Sequence, residues 1–134
     1  MMQKVENFRN ALSNLREVRN YSAPYDVVTQ TGLANLYSIC FEQSWKMMKA
    51  VLEKQGISEA SAGSPRMILK HAFKVRMICD EAQWLEMLDK RNELSHTYSS
   101  ETSVEVIELV REKFLTVFEK LETEILGRWV ENGQ

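Results

Sequence analysis

Residues 33–52, LANLYSICFEQSWKMMKAVL, decide the fold. Leu33, Tyr37, Cys40, Ser44, Met48 and Val51 recur at intervals of three and four, the period of one face of an α-helix. Phe41, Trp45 and Leu52 widen that apolar surface beyond a single stripe. A helix apolar on several sides is buried on several sides or pairs with another subunit. A two-fold homodimer is the commonest way to bury such a face. Gln55-Gly56 predicts its end, and Ser58 to Gly63 reads as a small-residue loop.

Working outward, Val5, Phe8, Leu12 and Leu15 mark an earlier helix of the same period. Between the two, Asn20 to about Thr31 reads as a break, because Pro24 and β-branched residues disfavour helix there. Ser64-Pro65 supplies an N-cap and a first-turn proline for a third helix running to about Ile78. Asp80-Glu81-Ala82-Gln83 has the form of a capping box and opens a fourth, carrying Trp84, Leu85 and Leu88. Thr102-Ser103-Val104-Glu105 reads as another box, opening a last helix with Ile107, Val110, Phe114, Phe118, Leu121 and Ile125 inward. No alternating run bounded by turns argues for a strand. The expected architecture is an all-α, up-and-down bundle of four to five helices, one domain over residues 1–134.

Composition excludes several classes. A chain of 134 residues with 44% hydrophobic and 27% charged residues is long enough for one real core and typical of soluble proteins. Its apolar runs are too short to cross a bilayer, and the N-terminus lacks the apolar region of a signal peptide, so the cytoplasm is the expected compartment. Cys40 and Cys79 lack CxxC spacing and read as reduced core thiols. With 17 basic against 19 acidic residues, the chain is no general nucleic-acid coat, so any RNA contact must come from a local pocket. Arg66, Lys70 and Lys74 share one helix face, either as an ordinary solvated surface or as a phosphate track.

The chemistry-bearing stretch is Arg91-Asn92-Glu93-Leu94-Ser95-His96-Thr97-Tyr98. Arginine is a permanent cation with a planar donor fork suited to phosphate. Histidine gives and takes protons near neutrality, and tyrosine adds a hydroxyl and a stacking face. A bare Arg-x4-His arises by chance in about one chain in seven of this length, so Asn92 and Tyr98 carry the weight of the motif. The plainer reading is a charged helix end, with Arg91 solvated and His96 favoured near a C-terminus. Residues five apart on a straight helix are offset by about 140°. Arg91 therefore aligns with Tyr98, and Asn92 with His96, but the two pairs diverge. Either the helix loosens between Ser95 and Ser99, or convergence occurs across a two-fold axis.

Glu42 pairs with Lys46 at i,i+4 or reaches Arg91 and orients it. Asn92, one turn before His96, is placed to orient the imidazole or is a surface amide. His71 reads as a rim histidine beside Lys70 and Lys74, and Trp45, Trp84 and Trp129 as core or interface anchors rather than base-stacking platforms. No metal-ligand spacing, glycine-rich phosphate loop or Ser/His/Asp ordering stands out, so neither metal nor cofactor is expected.

Phe41-Glu42-Gln43-Ser44-Trp45-Lys46, Ser64-Pro65-Arg66, Asp80, Trp84-Leu85-Glu86-Met87-Leu88 and Arg91-Asn92 with His96-Thr97-Tyr98 together carry a resemblance over nearly the whole chain. It resembles the HEPN domain proteins, and within them the nucleotidyltransferase substrate-binding proteins, the HepT-like toxin partners of minimal nucleotidyltransferases. The resemblance implies helical bundles that pair as two-fold homodimers, with the Arg-x4-6-His motifs at the dimer cleft. It further implies a toxin acting as a metal-independent endoribonuclease on RNA. The cognate nucleotidyltransferase would be the antitoxin and would transfer AMP to Tyr98. An alternative within the same group is a non-catalytic subunit that holds a nucleotide or substrate for a separate nucleotidyltransferase.

Metal-free RNA cleavage needs a base for the 2′-hydroxyl proton, an acid for the leaving oxygen, and a cation for the phosphate. Two His96 side chains in one cleft would supply base and acid, and Arg91 the cation. Asn92 and Glu42 would be supporting residues.

Overall fold

The computed structural model describes residues 1–57, 63–96 and 99–130. Helix α1 (Met2–Leu15) buries Val5, Phe8, Leu12 and Leu15, as their spacing predicts, and tightens into a 3₁₀ segment over Arg16–Asn20. Helix α2 (Val27–Lys54) buries Leu33, Tyr37, Cys40, Ser44, Met48 and Val51, together with Phe41, Met47 and Leu52. Its start corrects the expected break, which ends at Asp26 rather than near Thr31. The Asp26 carboxylate accepts the Thr29 backbone N–H at 2.8 Å, and that cap outweighs the poor helix propensity of Val27, Val28 and Thr29.

At the far end of α2, Ile57 N donates to the Leu52 carbonyl and Gly56 N to that of Glu53, closing a Schellman turn with Gly56 at φ +83°. The loop expected from Ser58 lies, through residue 62, outside the described residues. Helix α3 (Pro65–Lys74) starts on the Ser64 cap, which accepts from Met67 N at 3.3 Å. It ends four residues before the expected Ile78. Met77 N bonds the Ala72 carbonyl at 2.8 Å and Arg76 N that of Phe73 at 3.1 Å, the same turn with Arg76 at φ 66° where glycine would be usual.

Helix α4 (Glu81–His96) is capped by Asp80, whose carboxylate accepts from Gln83 N at 3.0 Å. No bond from the Asp80 backbone N–H to the Gln83 side-chain oxygen completes the box among the described residues, and the Gln83 amide N–H donates to Glu86. Helix α5 (Ser100–Leu109) is capped by Ser99, not by Thr102, and continues through a π-helical turn (Val110–Phe114) into α6 (Leu115–Glu124) and a second such turn (Ile125–Trp129). The result is an all-α bundle of five rods, with no strand among the described residues.

Helix α2 packs against α1, α3, α4 and α5, and this explains its wide apolar surface. Tyr37 stacks on Phe114 at 5.6 Å, Trp84 meets Phe118 edge-on at 5.6 Å, and Phe41 touches Trp84. The Tyr37 hydroxyl donates to the Met87 carbonyl at 2.6 Å, fixing α4 on α2 one turn before Arg91. Cys40 is buried, as expected, and burial pushes its thiol pKa up. Cys79 is exposed at the α3–α4 corner, correcting its reading as a core thiol, because the chain leaves the helix before reaching it.

Candidate functional site

The motif sits on the last turns of α4, and α2 supplies what holds it. Glu42 lies on the α2 face that meets α4, and its Oε2 accepts from Arg91 Nη2 in a close charge-assisted bond. The same carboxylate accepts the Trp45 indole N–H at 3.1 Å and lies 3.6 Å from Lys46 Nζ. Glu42 thus serves both partners, the i,i+4 lysine and the distant arginine. Partial burial alone would raise its pKa. The hydrogen bonds from Arg91 and Trp45 and the charges of Arg91 and Lys46 outweigh that and hold it below the ordinary glutamate value.

Arg91 has two further partners. Its Nη1 donates to Asn92 Oδ1 at 2.9 Å, and its guanidinium lies 5.9 Å from the Phe41 ring centroid. Asn92 therefore turns its amide oxygen to Arg91, whereas helical spacing had aimed it at His96. Carboxylate, amide and ring together set the direction of a half-buried cation.

His96 stands apart from this cluster. It is exposed on the final residue of α4, and the helix remains regular up to it. The loosening that would bring Arg91 and His96 onto one side does not occur before residue 97. Tyr98 lies outside the described residues. The segments flanking it are anchored: Ser99 caps α5, Ser100 Oγ accepts from the buried Gln30 amide at 2.9 Å, and Lys90 reaches Glu105 at 2.5 Å.

The basic stripe on α3 is partly spent on α4, with Arg66 3.4 Å from Asp89 and Lys70 3.8 Å from Glu81. His71 is half-buried at the rim of a cavity of about 310 Å³ shared with Lys70, Lys74 and Met67. Trp84 is a core residue as expected, while Trp45 and Trp129 are half-buried and tied through their indole N–H groups to Glu42 and Glu124. Sequence reasoning gave Trp45 no part in the site. Its signal was the i,i+3 spacing from Glu42. Among the described residues, no group of three or more His, Cys, Asp and Glu side chains is placed to hold a metal, and no helix is long and apolar enough to cross a membrane.

The profile of a family described as nucleotidyltransferase substrate binding protein like matches residues 3–126. The chain belongs to that family. The match takes in α1 through α6, including Glu42, Arg91 and His96. A crystal structure of a Thermus thermophilus protein is similar in fold, with a TM-score of 0.71 and 24% identity, covering 92% of this chain and 99% of that one. No curated protein matches the sequence. The family's description ties its members to a nucleotidyltransferase.

Proposed function

We propose that this chain is a metal-independent endoribonuclease toxin, active as a two-fold homodimer and silenced when a partner nucleotidyltransferase transfers AMP to Tyr98. Arg91 would hold the scissile phosphate. One His96 would take the proton from the 2′-hydroxyl as its oxygen bonds phosphorus. The second His96 would protonate the 5′-oxygen as its bond to phosphorus breaks, leaving a cyclic phosphate and a free 5′-hydroxyl.

The observation that carries this reading is the contrast between Arg91, aimed by Glu42, Asn92 and Phe41, and His96, free at the end of the same helix. A pre-aimed cation stabilises developing charge without reorganising, and an imidazole exposed at a helix end is open to substrate. Lys46 adds a second cation on Glu42, so the cluster keeps a net positive charge for phosphate. A continuous helix separates the two groups angularly, which favours a cleft built from two copies. On α2, Val28 (79% exposed) and Ile39 (42% exposed) lie within about 60° of Glu42 around the helix, on the same side. Pairing along that side would bring two motifs together.

Modification of Tyr98 would act as a switch, because an added anionic group would compete for Arg91. A second reading, favoured by the family's description, is a non-catalytic subunit presenting a nucleotide or acceptor to a separate nucleotidyltransferase. The deciding experiment is RNA cleavage in EDTA by wild type and His96→Ala, with dimer state and intact mass checked in both. Cleavage lost only in the folded mutant supports the ribonuclease. A dimeric, unmodified wild type that leaves RNA intact supports the binding subunit.

A further inference from the structure

Beside the motif, the second half of α2 and the first turn of α1 enclose a cavity of about 290 Å³ lined by Lys4, Trp45, Lys46, Lys49, Ala50 and Glu53. Three lysines face one glutamate there, in a chain whose formal net charge is −2. Lys4 and Lys49 make no ion pair among the described residues, and the pairing of Lys46 with Glu42 is long at 3.6 Å. Three lysines against one lining glutamate leave an excess of positive charge there, so an anion gains by entering.

The aromatic member is held rather than loose. The Trp45 indole N–H is fixed on Glu42 at 3.1 Å, and the half-buried ring forms part of the cavity wall. Glu42 is also the carboxylate that aims Arg91, so the cavity and the motif share one anchor. From Glu42 to Lys49 the helix advances about 10 Å, two turns of one face. Cations spaced along a groove with an aromatic wall between them are the equipment of a single-strand site, where bases stack and phosphates pair.

We propose that this cavity is a flanking-nucleotide subsite for single-stranded RNA. A base next to the scissile phosphate stacks on Trp45, and the adjoining phosphates lie on Lys46, Lys49 and Lys4. The inference rests on the ribonuclease reading of Arg91 and His96 and extends it by giving the strand a direction, from the end of α4 along α2 toward the start of α1. Stacking and phosphate contacts read no base edge, so the subsite adds affinity with little sequence preference.

The test is fluorescence anisotropy of an unstructured, labelled RNA dodecamer with the full-length His96→Ala dimer, at several salt concentrations. Trp45→Ala is expected to weaken binding about 5- to 150-fold, and Trp45→Phe to restore most of it. Replacing Lys46 and Lys49 together by alanine is expected to flatten the log–log salt slope by about 1.4, at about 0.7 per lysine. Both lysines are on the surface, so that variant remains informative if Trp45→Ala misfolds. Unchanged binding in all three variants, with loss in Arg91→Ala, would overturn the subsite and leave the ribonuclease reading standing. No RNA binding by the His96→Ala parent, with no cleavage by wild type, would overturn both. Intact RNA binding with lost capture of the partner nucleotidyltransferase in the lysine variant would reassign the cavity to a protein contact and overturn the proposal.

Discussion

Replacing Glu42 by glutamine keeps the shape of the site and removes its charge, which makes it the sharpest probe of how the site is held. Glu42 accepts from Arg91 and from Trp45 at 3.1 Å, and faces Lys46 at 3.6 Å. A hydrogen bond to a charged group contributes about 1.5–3 kcal/mol, whereas exposed ion pairs contribute about 0.2–1 kcal/mol. The Arg91 and Glu42 side chains are 22% and 32% exposed, between those limits. The expected cost of Glu42→Gln is therefore about 1–2 kcal/mol at neutral pH. At about 2.1 cal/mol/K of unfolding entropy per residue, that lowers Tm by about 4–7 °C.

The pH dependence gives an independent check. The carboxyl of Glu42 is held below its unfolded value, so its contribution is complete above that value, about 4.3. It disappears as pH falls through the folded value. The Tm gap between wild type and Glu42→Gln should be constant from pH 8 to 5 and close below about pH 4. Circular dichroism melts at pH 7.5, 5 and 3.5 read this directly, and a double-mutant cycle with Arg91→Gln should return a coupling near 1 kcal/mol. A gap that stays the same at pH 3.5, or a coupling indistinguishable from zero, would refute the idea that Glu42 anchors Arg91 by charge.

Tyr37→Phe removes the donor to the Met87 carbonyl, which keeps its helical bond, so a loss of about 1 kcal/mol and a Tm lower by about 3–4 °C are expected by calorimetry. Arg76→Gly should raise Tm by about 2–3 °C, because relief of the left-handed backbone exceeds the entropy that glycine adds to the unfolded chain; a lower Tm would show that the arginine side chain stabilises the corner. A thiol reagent should titrate Cys79 at once and Cys40 only after denaturation, and two fast thiols would contradict the burial of Cys40. Mixing Arg91→Ala with His96→Ala chains should restore no RNA cleavage, because every exchanged dimer lacks one of the two His96 side chains that the proposed cleft uses as base and acid. Recovery to about a quarter of wild type in exchanged dimers would overturn that arrangement and show that each site takes Arg91 from one chain and a single His96 from the other.

The buried faces were legible because helical periodicity is a property of the local backbone. Every position that the repeat assigned to the inward faces of α1, of α2 and of the last helix is buried, from Val5 to Ile125. Helix ends were less legible, because a single side-chain contact decides them. Asp26 starts α2 against the propensity of Val27 and Val28, and Ser99 starts α5 ahead of the more conspicuous Thr102. The end of α3 carried no signal, since the left-handed position holds Arg76 rather than glycine or asparagine. In the site, local spacing showed Lys46 beside Glu42, but the Arg91 contact spans 49 residues of sequence and exists only because Tyr37 and Phe41 seat α4 on α2. Asn92 shows the same limit: helical spacing places it one turn from His96, while its amide oxygen accepts from Arg91.

The arrangement separates two demands that one side chain cannot meet. A phosphate-binding cation works best when its direction is fixed, which requires partners and partial burial. A proton-transferring imidazole works best in contact with water or substrate. Fixing Arg91 on α2 through Glu42 and leaving His96 at the open end of α4 meets both, but on diverging sides of a continuous helix. A single copy thus offers one phosphate a cation or an imidazole, and acid–base cleavage needs more than either. On the proposed ribonuclease reading, two-fold pairing along the exposed side of α2 would close this gap with the residues the chain already has. On that reading, the need for a second subunit would follow from the same helical geometry that builds the bundle.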